Sequence, residues 1–289
     1  MPELPEVEGV ARELQRRLQQ RRVIDIRIHR PRLVAPQSVA TVVQGVQGAV
    51  FTEVGRRGKH LLLHLDNAHT LLIHLRMAGR FLYLAPEAPL PKFTHAVFDL
   101  DNDRRLVFQD QRHFAIMRLA PTAALFQLEE LRHLAPEPLG PDFTPDYLQR
   151  TLAGTRRPIK EVLLDQTRVA GLGNIYAAEV LFAVGLHPLT PANLVARSKV
   201  KVKDLWKTIR ILLEAAIEAG TTLDVNPENI TGQYFGAAFA EALLVYDREG
   251  EPCIRCETPI ARIRQGQRST YFCPRCQRPH ARTGRQPAP

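Results

Sequence analysis

Apolar residues recur at helical spacing at Val7, Val10, Ala11, Leu14 and Leu18, which predicts an amphipathic helix at the amino end. Val23–Ile28 then alternates apolar with polar or charged residues, the pattern of a half-buried strand. The apolar runs His60–Leu65 and 71–75, separated by Asp66-Asn67-Ala68-His69, predict a hairpin of an antiparallel sheet. A second hairpin is predicted across 96–100 and 106–108, turning at Asn102-Asp103, with the proline-rich stretch 85–91 as the loop before it. To about residue 120 the chain reads as an all-β core capped by an N-terminal helix.

The pattern then changes period. Residues 134–147 hold four prolines and a glycine, a composition suited to a linker between domains. Ile159, Val162 and Leu163 form one apolar helix face, Gly171-Leu172-Gly173 breaks it, and Ile175, Ala178 and Leu181 resume it until Gly185 and Pro188. The strongest helix is 202–219, with Leu205, Trp206, Ile209, Leu212, Leu213, Ala216 and Ile217 facing a core and Gly220 as its stop. No long internal repeat is present, and the basic, proline-containing tail from Pro279 reads as mobile.

Charge adds a partner class. The chain of 289 residues carries a formal net charge of +9 and a pI near 9.7, a balance that favours a polyanion. The excess is uneven: residues 251–289 hold eight arginines against two glutamates, a net +6 of that +9. No run approaches transmembrane length and residues 1–20 are charged, so a membrane partner and a signal peptide are not expected, and the chain reads as cytoplasmic and nucleoid-associated. All four cysteines lie in the last 37 residues as two Cys-x-x-Cys pairs, Cys253/Cys256 and Cys273/Cys276. In a reducing compartment this spacing predicts one tetrahedral structural zinc in a ribbon, with no position left open for catalysis.

Several polar constellations remain open to two readings. Glu3 and Glu6 suit a helix N-terminus, but loss of Met1 would also leave the Pro2 nitrogen as a free secondary amine beside two carboxylates, and α-amino groups titrate near pH ~8. Lys59, after Gly55-Arg56-Arg57-Gly58, is either a solvated turn lysine or a group over a phosphate or near a nucleophile. Gly171-Leu172-Gly173-Asn174 is either a tight turn or a backbone clamp for an anion at a helix N-terminus. Met77 and Phe114, flanked by Arg76, Arg80 and Arg112, are either core residues or wedges for a base stack. Arg262, Arg264 and Arg268 are either solvated or phosphate contacts.

Taken together these motifs resemble the bacterial formamidopyrimidine-DNA glycosylases over residues 2 to 277. Pro2-Glu3-Leu4-Pro5-Glu6-Val7-Glu8 is similar to that family's N-terminal signature, Gly58-Lys59 to its strand-opening lysine, and His74-Leu75-Arg76-Met77-Ala78-Gly79 to its intercalating methionine loop. Asp110-Gln111-Arg112-His113-Phe114-Ala115 resembles the loop that supplies an arginine and an aromatic wedge. Asp165-Gln166 through Gly171-Leu172-Gly173-Asn174-Ile175-Tyr176-Ala177-Ala178-Glu179 resembles the helix-two-turn-helix motif, and 267–277 the zinc-finger end. Departures are Gln111, His113 and Ala115, where the family usually has Pro, Arg and Gly, and an unusual stretch at 221–240, where the loop covering an extruded base belongs.

The resemblance implies a multidomain α+β protein: an antiparallel β-sandwich with a leading helix at 1–133, a helix-two-turn-helix domain at 134–245, a zinc finger at 246–282 and a disordered tail at 283–289. It implies a monomeric base-excision-repair enzyme on damaged double-stranded DNA, excising oxidised purines through a Schiff base on Pro2 and cutting the strand by β,δ-elimination. By resemblance Pro2, Glu3, Lys59 and Arg268 are catalytic and Glu6 and Glu179 support the site. His95, Arg112, Lys160 and Asn174 contact DNA, while Met77, Arg112 and Phe114 intercalate. The alternatives are an endonuclease VIII-like enzyme for oxidised pyrimidines, or a non-catalytic damage-binding protein on the same scaffold.

Overall fold

The computed structural model describes residues 1–221 and 243–279. Contacts divide them into two compact units, Met1–Leu134 with the helix end from Ala216, and Ala135–Ala215 with 243–279. The base-covering stretch expected at 221–240 falls, beyond its first residue, outside the described residues, as does the tail expected at 283–289.

The first unit opens with helix α1 (Leu4–Leu18), whose Val7, Val10, Ala11, Leu14 and Leu18 are all buried, as their spacing requires. It continues through β1 (Val23–Ile28), α2 (Val39–Val46), β2 (Phe51–Arg57), β3 (His60–Leu65), β4 (His69–His74), β5 (Gly79–Leu84), β6 (Thr94–Leu100), β7 (Arg104–Asp110) and β8 (Ile116–Pro121). Two four-stranded antiparallel sheets result, ordered β1-β6-β7-β5 and β2-β3-β4-β8, and one core cluster draws apolar residues from both. Within it Phe81 and Phe108 meet edge to face at 5.0 Å. This is the β-sandwich with a leading helix.

The unbroken apolar runs in β3 and β4 have a physical reason. Leu61, Leu63 and Leu71 enter the main core, while Leu62 and Leu72 pack on the other face against Leu125 and Leu131. A sheet buried on both faces loses the polar-apolar alternation of a half-exposed one. Gly79 opens β5 because a Cβ there would stand 2.6 Å from the Leu75 carbonyl.

The second unit carries α3 (Pro145–Ala153), α4 (Ile159–Leu164), α5 (Asn174–Ala183), α6 (Ala192–Ala196) and most of α7 (Lys199–Thr221), followed by the hairpin β9 (Ala261–Gln265) and β10 (Arg268–Phe272). The stretch 134–147 is not linker throughout. Thr144 accepts the Tyr147 N–H at 3.1 Å and Pro145 occupies the first turn, so α3 begins inside it. Helix α7 runs through Gly220, and two residues expected in its core face, Trp206 and Leu212, are only half-buried. The Trp206 indole N–H instead donates to the Phe143 carbonyl at 2.6 Å. Among the described residues no helix is long and apolar enough to cross a membrane.

Candidate active site and nucleic-acid interface

In the first unit the chemistry gathers at the amino end. Glu3 is the extended N-cap of α1, and its N–H donates to Glu6 Oε2 at 2.6 Å, so Glu6 is committed to shaping the helix start. Pro2, Glu3 and Glu6 are buried; Glu3 is only 2% exposed. Lys59 lies in the β2–β3 turn, which Gly58 makes at φ +58°, and is buried as well. The amine of Met1, which precedes Pro2, feels the charged groups among these and Arg112 as well. Burial lowers its pKa, Glu3 and Glu6 oppose that, and Lys59 and Arg112 add to it, with the net shift downward. Charged residues from three separate segments thus bear on one amine.

Behind this group Arg56 Nε donates to Glu8 Oε2 at 2.9 Å, tying β2 to α1. Burial alone would push the Glu8 carboxyl up, but hydrogen bonds from Arg12 and Arg56 outweigh it and hold the pKa low. Below the Lys59 turn, His60 and His74 are register partners whose rings meet edge to face at 4.6 Å. Burial pushes their pKa values down to about 4 and about 2, so both are neutral at pH 7. His74 Nδ1 accepts the Arg76 N–H at 2.9 Å, fixing a turn in which Arg76 adopts φ +54° and Met77 is 49% exposed.

The β7–β8 loop presents the second apolar tip. Asp110 is fully buried, and its two oxygens accept the Arg112 N–H at 3.0 Å and the Ala115 N–H at 2.8 Å. The Arg112 guanidinium stands 5.6 Å from the Phe114 ring centroid, and Phe114 is 54% exposed. Met77 and Phe114 are therefore not core residues. His95 is buried, and its Nε2 lies 2.9 Å from His113 Nδ1.

In the second unit the glycine turn is held by one side chain. Gln166 Oε1 accepts the Gly171 N–H at 2.9 Å, and its Nε2 donates to the Leu172 carbonyl at 2.9 Å, while Gly171 itself takes φ +82°. Asn174 follows as the first residue of α5, and its Nδ2 donates to the Ser269 carbonyl at 3.0 Å. The Lys160 ammonium, 1% exposed, donates to Thr270 Oγ1 at 2.7 Å and to the same Ser269 carbonyl at 3.3 Å. Helices α4 and α5 thus both grip β10, next to the exposed Arg268. Glu179 accepts the backbone N–H groups of Leu244, Val245 and Tyr246 at 2.8–3.0 Å; burial nevertheless leaves its pKa raised. Arg262 pairs with Glu249 at 2.6 Å.

The four cysteine sulfurs lie within 4.8 Å of one another, with Cys256–Cys273 at 3.4 Å and Cys253–Cys276 at 3.9 Å. Four thiolates around zinc at ~2.3 Å stand roughly 3.8 Å apart, so the residues fit one structural zinc. The Arg255 and Cys276 N–H groups point at Cys253 and Cys273 sulfurs at 3.4 Å, as ligand knuckles require. Apart from these cysteines, the motifs gave no sign of the His60–His74 pair, the Arg56–Glu8 tie or the Thr270 seat for Lys160. Each is a partnership across strands or segments with no local spacing rule.

Family models match along the chain: the formamidopyrimidine-DNA glycosylase N-terminal domain over residues 1–117, the H2TH domain of the same glycosylases over 134–226, and a zinc finger found in FPG and IleRS over 250–279. A formamidopyrimidine-DNA glycosylase of Chloroflexus aurantiacus is 43% identical over 96% of this chain and 98% of its own length. That of Symbiobacterium thermophilum is 42% identical over 96% and 89%. Solved structures of the Lactococcus lactis Fpg align with TM-scores of 0.87 over 96% of this chain and all of theirs. One is bound to DNA containing N7-benzyl-Fapy-dG (33% identity), another to DNA containing an oxidised pyrimidine (32%).

Proposed function

The chain belongs to the formamidopyrimidine-DNA glycosylase family, and from that premise we propose that it is a base-excision-repair enzyme acting on oxidised purines in double-stranded DNA, with the Pro2 nitrogen as its nucleophile. The observation that carries this reading is the burial of Pro2 together with Glu3, Glu6 and Lys59, at a place where the Met1 amine also feels Arg112. Removal of Met1 turns the Pro2 amide into a secondary amine in that setting. Burial and the nearby cations Lys59 and Arg112 would favour the neutral, nucleophilic form of that amine, whereas Glu3 and Glu6 would oppose it.

A base inside a duplex is out of reach, so the nucleotide is extruded at a cost of a few kcal/mol of unstacking. Met77, Arg112 and Phe114 fill the vacated space and face the orphaned partner base; the exposure of both apolar tips suits that role. The Pro2 nitrogen attacks the sugar C1′ and expels the base. Loss of the amine proton and cleavage of the C1′–O4′ bond, with the ring oxygen taking a proton from Glu3, then give a cationic iminium with no N–H to lose, which acidifies the C2′ proton and allows β- and then δ-elimination. Glu3, adjacent to the nucleophile in the chain, serves as the general acid and base on the ring oxygen and sugar protons, while Glu6, which accepts the Glu3 N–H, orients the helix start. Lys59, beside the nucleophile, holds a phosphate next to the kink.

Phosphates are held by Asn174, Arg268 and the turn before α5, while buried Lys160 acts by seating β10, and Glu179 by anchoring residues 244–246. His95 is assigned to the DNA face through the loop it supports. The four-part division 1–133, 134–245, 246–282 and 283–289 belongs to the same reading, as does work at the nucleoid in the cytoplasm. Incision of a panel of duplexes, each with a single oxidised purine or pyrimidine, tests the substrate class. Faster cutting of purine lesions is expected; a preference for pyrimidines would favour the endonuclease VIII-like alternative, and no cutting the non-catalytic one.

A further inference from the structure

His113 stands at φ +60°, a left-handed conformation that side-chain-bearing residues seldom adopt, at the centre of the loop that carries Arg112 and Phe114. Asp110 ties down Arg112 and Ala115 on either side, but does not hold residue 113. Its own ring does that. It lies within 9° of the plane of the His95 ring, Nδ1 to Nε2 at 2.9 Å, with Phe93 against it edge to face at 5.8 Å. His95 is a firm support: its side chain is buried, and its carbonyl accepts the N–H groups of His29 at 2.8 Å and Arg30 at 3.3 Å.

We propose that His113 is a specificity-determining positioning residue, whose hydrogen bond to His95 fixes the direction in which Arg112 and Phe114 leave the loop and so sets how sharply the enzyme distinguishes the base opposite a lesion. The inference rests on the wedge role given to those two residues under the proposed function. The physical link is short. Arg112 and Phe114 adjoin residue 113 directly, so a rotation of its backbone redirects both side chains, whereas the Asp110 bonds constrain only backbone N–H groups.

Two substitutions separate the ring contact from the backbone conformation. Glycine adopts φ +60° without strain but brings no hydrogen-bonding group; asparagine tolerates the same region and carries a polar atom near the place of Nδ1. Incision rates are compared on duplexes that differ only in the base opposite one lesion. H113N is expected to stay within about twofold of the wild-type ratio between opposite bases. H113G is expected to lose about three- to tenfold of that ratio, the range a single neutral hydrogen bond supports. Borohydride trapping on an abasic-site duplex should remain at the wild-type level in both, which shows the variants folded and chemically competent.

Equal ratios in H113G and H113N, or an unchanged ratio in H113G, would overturn the proposal. Loss of trapping in H113G would overturn it too, because His113 would then serve the chemistry itself. Failure of the wild type to trap or incise would instead sink the glycosylase reading, so the two failures are distinguishable.

Discussion

Asp110→Asn is the sharpest test of how the wedge loop is built. The substitution is isosteric, but one carboxylate oxygen becomes an NH2 group in a fully buried position. Both oxygens are in use, one on the Arg112 N–H and one on the Ala115 N–H. Asparagine can keep only one of these bonds and must aim a donor at the other donor. A hydrogen bond to a charged acceptor contributes ~1.5–3 kcal/mol, and the surviving bond falls to the neutral range of ~0.5–1.5 kcal/mol. Relief from burying the charge offsets part of the loss, leaving about 3 kcal/mol, or roughly 100-fold in loop opening. The neighbouring Phe81–Phe108 core is untouched, so the effect is local. Native-state hydrogen exchange at the Ala115 amide and single-turnover incision of an oxidised-purine duplex read it out. Exchange should quicken about 100-fold and incision slow by roughly 10- to 100-fold, because DNA must now order the loop. Unchanged exchange would refute the anchoring role, and faster exchange with wild-type incision would refute the wedge.

Glu3→Gln should bind lesion duplex with near wild-type affinity yet cut it about 10²–10⁴-fold more slowly, and equal single-turnover rates would reject its acid-base role. Arg268→Ala should weaken binding to lesion and undamaged duplexes alike and lower the slope of log K against log salt by about 1; an unchanged slope would remove Arg268 from the phosphate contacts. The His60 and His74 pKa values are depressed, so the stability they contribute is present above the unfolded value near ~6.5 and is lost as pH falls toward about 4 and about 2 respectively. At pH 5 each ring subtracts about 2 kcal/mol, so His60→Phe should lose about that much less stability than wild type between pH 7.5 and 5 in urea titrations, and equal losses would contradict the assignment. Zinc chelation should unfold the β9–β10 hairpin and abolish tight DNA binding while leaving β-sandwich exchange protection intact; retained ribbon protection would argue against a metal-dependent fold.

Local pattern was enough for α1, the β3–β4 and β6–β7 hairpins and the cysteine ribbon, because each carries its own period or ligand spacing. Strand β2 has no clear local signal, because Gly55, Arg56 and Arg57 read as a basic turn, yet Arg56 is tied to Glu8 of α1 within the sheet. Helix α3 was hidden by Pro145, which reads as a break and in fact starts the helix behind the Thr144 cap. Strands β5 and β8 are six-residue segments, one opening on Gly79 and one ending on Pro121, both weak signals without their partners. In the candidate site, Pro2, Glu3 and the wedge tips were visible as motifs. The burial of Lys160 against Thr270, 110 residues away, and the His95–His113 contact depend on tertiary register. Neither has a sequence signature.

The central claim is that the Pro2 nitrogen is the nucleophile. Borohydride reduction of the Met1-processed protein with an oxidised-purine duplex, followed by proteolysis and mass spectrometry, tests it at the atom concerned. The expected result is a single sugar adduct on the N-terminal peptide beginning at Pro2. An adduct on Lys59, or no adduct from processed and incision-competent protein, would contradict it.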